Sequence, residues 1–167
     1  MNFRLGTLTL AMGVGLLFSA SAMAEEGTFS TTSLTPDTAV KLAQAALKSC
    51  QDQGYQVAVA VLDRGGNVQV LIRDRFAGPH TPDTSIAKAW TAISFRSATT
   101  ALAASTQSGQ PQSGARDIPG VLMLGGGVMI EADGSVIGGV GVSGAPAGEL
   151  DEVCAQAGID AIAGDLM

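Results

Sequence analysis

The chain has 167 residues, enough for one domain with a sizeable core. Its formal net charge of −6, with no basic cluster, argues against a nucleic-acid or anionic-membrane partner. Aromatic residues make up only 4%, too few to build the stacking platforms that grip single-stranded bases.

In chain order, Arg4 supplies a short positive start, residues 5–18 are apolar, and Ala22-Met23-Ala24 has the small-x-small form of a cleavage site. Residues 1–24 therefore read as a secretory signal peptide, too short in its apolar run for a membrane anchor. The expected destination is periplasmic or secreted, with no membrane insertion after cleavage. Residues 25–33 form a polar, flexible leader, and a single domain follows over residues 34–167.

Thr35 caps a first helix and Pro36 fits its first turn. Ala39, Val40, Ala43, Ala46, Leu47 and Cys50 then recur at helical spacing, and Gly54 ends the helix. Residues 57–63 predict a buried strand, 64–67 a turn, and Val68–Arg73 a second strand. A loop over residues 74–80 leads to Thr81-Pro82, which repeats the cap-plus-proline pattern. The next helix runs to about Ser97, with Ile86, Ala89, Trp90, Ala92 and Ile93 on or near its apolar face.

Thr99–Ser105 reads as a short helix, and residues 106–119 as a long loop rich in Gln, Ser and Gly. Residues 121–124, 128–131 and 136–142 predict three more strands, with a hairpin turn at 132–135. A last helix starts at Ala147 or Gly148 and carries Leu150, Val153, Cys154, Ala157 and Ile162. This order predicts an α+β fold: an antiparallel sheet of about five strands flanked by helices.

His80 is the only histidine, in the loop Phe76-Ala77-Gly78-Pro79-His80-Thr81-Pro82. A neutral imidazole on a backbone stiffened by prolines suits a haem-iron or metal ligand; a surface histidine without a role fits the residues as well. No serine stands in a nucleophile elbow, and one histidine with two cysteines does not supply the usual zinc ligands. The glycines at 125–127 and 138–141 match neither the dinucleotide fingerprint nor a P-loop. They read as places of close backbone approach, or as open space for a flat ligand over the sheet.

Arg73, Asp74 and Arg75 either pair with one another or leave an arginine free to hold an acidic group such as a haem propionate. Glu149, Asp151 and Glu152 suit the dipole at a helix start; Glu149 and Glu152 also offer weak binding of a ferric or divalent cation. Cys50 and Cys154 can bridge in an oxidising compartment. If the terminal helices lie side by side, the bridge closes a loop of about a hundred residues and adds roughly 3–5 kcal/mol; otherwise they are two separate buried thiols. Met123 and Met129 read as core, and Tyr55 as packing at the helix–strand corner.

Gly65-Gly66-Asn67, Lys88-Ala89-Trp90-Thr91-Ala92, Gly125-Gly126-Gly127, and residues 137–144 running on to Asp151-Glu152 occur together in this chain. In these segments, from about Leu34 to Ile162, the chain resembles the GlcG/HbpS-like haem-binding family, also called haem-degrading domains. The resemblance implies a profilin-like sheet flanked by helices, assembly into homo-oligomers from dimer to octamer, and haem as cofactor. A similar haem-binding domain ends some cobalamin adenosyltransferases of the PduO type. The pair Glu149 and Glu152 resembles a Glu-x-x-Glu iron motif of the secreted member.

The expected function is an exported haem-binding protein for haem storage, scavenging or sensing. His80, chosen on residue chemistry because the resemblance fixes no axial ligand, takes the iron, with Arg73 or Arg75 near a propionate. Haem degradation is implied by the family label alone, and no residue reads as catalytic. The alternative is an enzyme or accessory protein acting on a small organic acid of the glycolate type, without haem.

Overall fold

Thr35 starts the first helix: its hydroxyl accepts the Thr38 N–H at 3.3 Å, and Pro36 takes the first turn of α1, Pro36–Asp52. The structure is a computed structural model and describes residues 27–166; the expected signal peptide at residues 1–24 lies outside them. Helix α1 buries Ala39, Leu42, Ala43, Ala46 and Cys50 along one stripe. Gly54, with φ +83°, lets the chain turn back so that the Tyr55 N–H reaches the Cys50 carbonyl at 2.9 Å. Tyr55 packs against the core at this corner.

Four strands follow: β1 (Ala58–Asp63), β2 (Val68–Arg73), β3 (Gly127–Ala132) and β4 (Ser135–Ser143). They form one antiparallel sheet in the order β2-β1-β4-β3. Strand β1 is central, which accounts for its unbroken apolar run: alternate residues point to opposite faces, and both faces are covered. Val59 and Val61 join Ile130, Val140 and Val142 under α1 and the final helix α4, Gly148–Asp160. Helices α1 and α4 are joined by a Cys50–Cys154 disulfide with Cα atoms 5.5 Å apart, so the bridged alternative holds.

Ala60 and Leu62 face the other way, toward Ile86, Ala89, Trp90 and Ile93 of helix α2, Thr81–Phe95. Here the glycines of β4 act by what they lack. A Cβ on Gly141 would stand 2.0 Å from the Ser85 carbonyl oxygen, and one on Gly139 2.7 Å from Ile93 Cγ1. Helix α2 lies directly on this surface. It occupies the space a flat ligand over the sheet would need, so the reading of these glycines as sites of close approach is the correct one.

Three sequence expectations change. Residues 121–124 are not a strand, and among the described residues the sheet has four strands rather than about five. The Leu122 N–H donates to Thr91 Oγ1 at 2.9 Å and the Leu124 N–H to the Leu122 carbonyl at 2.9 Å, so this apolar run satisfies its backbone against α2 and in a tight turn.

Thr81 is not the cap of α2 but its first residue. It is buried, with its hydroxyl donating to the Gly78 carbonyl at 2.8 Å, and His80 precedes it without a side-chain cap bond. The helix stops at Phe95, before Ser97, because Arg96 adopts a left-handed conformation at φ 50°. Helix α3 spans Thr99–Ser105 as expected, and the long loop after it is pinned by Arg116, which donates to the Thr106 carbonyl at 2.6 Å and the Ala103 carbonyl at 2.9 Å.

Candidate functional site

The start of α2, the end of β4 and the start of α4 converge on a cleft of about 550 Å³. Its mouth carries Gly78, His80 and Thr84; Leu122, Leu124 and Pro146 give it apolar walls; Lys88 and Asp151 lie at its base. Lys88 and Asp151 are 1% and 2% exposed, and they form a buried ion pair with Nζ 2.7 Å from Oδ2. Lys88 Nζ also donates to the Val142 carbonyl at 2.9 Å, and Asp151 Oδ1 accepts the Ala145 N–H at 2.9 Å. Gly126 makes room for the pair: a Cβ there would stand 2.6 Å from Asp151 Cβ and 2.9 Å from Lys88 Nζ.

Burial dominates the electrostatics of this pair. It pushes the Lys88 ammonium below its ordinary pKa, against the charge and hydrogen bond of Asp151. It pushes the Asp151 carboxyl up, against Lys88 and the backbone N–H groups of Ala145 and Gly144. The base of the cleft is thus polar but carries no net charge, and the surrounding walls are apolar.

His80 is exposed, and among the described residues its ring makes no hydrogen bond; only its backbone carbonyl is used, by the Thr84 hydroxyl at 2.9 Å. The imidazole folds over Gly78, where a Cβ would come within 2.7 Å of Cε1 and 2.9 Å of Nδ1. A free ring nitrogen above a cleft with apolar walls can take an iron or a hydrogen-bonding ligand.

The other expected site residues fall outside this cleft. Arg73 is exposed and donates to the Ala77 carbonyl. Arg75 stacks over the Phe76 ring at 5.7 Å. Asp74 pairs with neither; it accepts from Gln51 Nε2 at 2.9 Å. Glu149 and Glu152 border a separate shallow groove with Thr100, Val153 and Gln156, and Glu152 accepts the Thr100 N–H at 3.4 Å. Among the described residues no three His, Cys, Asp or Glu side chains cluster as a metal site would require.

Sequence reasoning missed the Lys88–Asp151 pair. Asp151 passes for a residue favoured by the helix dipole, and Lys88 appears only inside a family segment. The signal was present: Lys88 shares the buried stripe of α2 with Ser85, Ala89 and Ala92, and a lysine at a core position requires a partner.

Residues 34–160 match the family described as haem degrading protein HbpS-like. A double mutant of HbpS from Streptomyces reticuli is 40% identical and superimposes with a TM-score of 0.76, covering 85% of this chain and 96% of its own. Protein ORFY from Klebsiella pneumoniae is 30% identical with a TM-score of 0.80, over 84% of this chain and 97% of its own. PduOC, solved as a haem complex, is 31% identical with a TM-score of 0.73, over 78% of this chain and 96% of its own.

Proposed function

The chain belongs to the HbpS-like family, and from that premise we propose that it binds haem in the cleft beneath His80. The observation that carries this reading is the unengaged His80 ring at the mouth of the cleft, in a fold whose relative PduOC is described as a haem complex. The residues fit the group. A cleft of about 550 Å³ lies in the size range of cofactor sites. Leu122, Leu124 and Pro146 suit the apolar faces of a macrocycle, and Gly78 leaves the imidazole its place.

When bound, haem supplies an iron centre that takes axial ligands. His80 is the residue to provide one. Arg75, solvent-facing and hydrogen-bonded to nothing described, is better placed to meet a propionate than Arg73, which is held by the Ala77 carbonyl. That commitment of Arg73 also weakens the organic-acid alternative, since it leaves Arg75 alone in this loop to hold a carboxylate. Glu149 and Glu152 stand apart from the cleft and take no part.

The role that follows is haem storage, scavenging or sensing outside the cytoplasm, with residues 1–24 as signal peptide and residues 34–167 as the working domain. Assembly into a homo-oligomer belongs to the same reading: Phe76, in the loop leading to His80, and Leu124, in the cleft wall, are 77% and 47% exposed.

A haemin titration of the purified protein, followed by absorbance with His80→Ala in parallel, tests this. We expect a Soret band that saturates at a fixed ratio and is shifted in the variant. A saturating band indifferent to the substitution keeps haem and removes His80 as its ligand. A broad band that never saturates overturns haem binding.

A further inference from the structure

The C-terminal end of α2 borders a second cleft, which shares no lining residue with the His80 cleft. It has a volume of about 310 Å³ and is formed by the β1–β2 turn, the last turns of α2 and the start of β4. Arg64 comes from the turn and Arg96 from the end of the helix; Trp90, Ile93 and Val136 supply the walls.

Almost every other basic side chain in the described structure is engaged. Lys41 pairs with Asp165, Lys48 with Asp52 and Lys88 with Asp151. Arg73 and Arg116 donate to carbonyls, and Arg75 lies over Phe76. Arg64 and Arg96 alone make no ion pair, hydrogen bond or ring contact among the described residues, and both line this one cleft.

The acids nearby form no ion pair with them among the described residues. Asp63 receives both the backbone N–H and the side-chain amide of Asn67, at 2.9 and 3.0 Å. Glu131, cross-strand from Val136, bridges to neither arginine. In a protein of net charge −6, two free guanidinium groups thus face one small cavity. A third donor joins them. Trp90 Nε1 has no hydrogen-bond partner among the described residues, although a half-buried indole N–H usually finds one. Gly66 brings the turn against that ring edge: a Cβ there would stand 3.0 Å from Nε1.

We infer that this cleft is a second binding site, for a small organic acid that presents a carboxylate between Arg64 and Arg96. Guanidinium forks match carboxylate oxygens with paired hydrogen bonds. The indole and the aliphatic walls accept the carbon skeleton, and the volume limits the ligand to a small molecule.

Trp90 is the only tryptophan of the chain, so its emission reports on this site directly. The test titrates the protein with succinate against sodium chloride of matched ionic strength and follows that emission. Arg64→Gln and Arg96→Asn are measured alongside; asparagine tolerates the left-handed backbone of position 96. Far-UV circular dichroism checks that both variants are folded.

We expect a saturable change with succinate, weakened about tenfold or more in each variant and unaltered in His80→Ala. No saturable change beyond chloride overturns the inference, as does a titration that folded Arg64→Gln and Arg96→Asn leave unmoved. Saturation by inorganic phosphate without any by succinate overturns the assignment to carboxylates.

Discussion

On one face of the sheet, Val59, Val61, Val140 and Val142 meet α1 and α4 through side-chain volume, with a disulfide joining the two helices. On the other, Gly139 and Gly141 let α2 descend until its backbone touches the strand. The first face is filled by interlocking side chains; the second joins a small side-chain cluster around Leu62 to glycine positions where no side chain fits. The two therefore fail in opposite ways: trimming weakens the valine face by degrees, whereas the glycine face has no room for an added atom. Helix α2 lies across that second face, and both clefts open at its ends, one around His80 and one around Arg64 and Arg96.

The largest effect should come from adding volume to the glycine face. Gly141→Val puts a branched side chain where even a Cβ is 2.0 Å from the Ser85 carbonyl, and a backbone oxygen cannot swing away. We expect a loss above about 4 kcal/mol or no folded protein. Leu42→Ala, under the valine face, should cost about 2–5 kcal/mol and leave the fold intact. Urea melts of the two variants compare them directly; equal, modest losses would remove the distinction between the faces.

The disulfide comes next. It links residues 104 apart, so opening it restores considerable freedom to the unfolded chain. Replacing Cys50 and Cys154 together by alanine should cost about 2–5 kcal/mol. The loss should appear in the denaturation midpoint, while the haemin and succinate titrations stay as in the parent, since neither cleft includes a cysteine.

The valine face was legible in the sequence because side chains declare themselves. The spacing of Ala39, Ala43, Ala46 and Cys50 marked α1, the run at 57–63 marked a buried strand, and Cys50 and Cys154 fell on the two terminal helices. The glycine face was legible only as an ambiguity. Gly138-Gly139-Val140-Gly141 fits a gap for a ligand as well as close approach, and only the position of α2 decides between them.

Residues 121–124 were misread for a related reason: four apolar residues predict burial but not the hydrogen-bond partner, which here is Thr91. His80 was identifiable as the lone histidine. The Arg64–Arg96 cleft was not, because a turn and a helix end 32 residues apart meet only in three dimensions, and a free charge is recognised by the partners it lacks.

Charge enters the α2 side through the Lys88–Asp151 pair, which among the described residues is the one charged element buried against that helix. Removing either partner strands the other in a site with about 1–2% exposure, at a cost of about 3–5 kcal/mol. The double variant Lys88→Met/Asp151→Asn leaves no buried charge and should be closer to the parent than either single change.

The pH dependence has a definite sign. Burial raises the Asp151 carboxyl above its ordinary 3.8, so the folded protein holds that proton more tightly than the unfolded chain. This favours the fold below pH 3.8, and the contribution is lost as pH rises through the raised value. Burial lowers the Lys88 ammonium below its ordinary 10.5, so here the unfolded chain holds the proton more tightly. The resulting penalty is present at low pH and is relieved as pH climbs through the lowered value toward 10.5. Thermal melts across this range should show both slopes in the parent and neither in the double variant. Identical profiles would mean that the pair titrates in the fold as it does in the unfolded chain, and that burial is not what governs it.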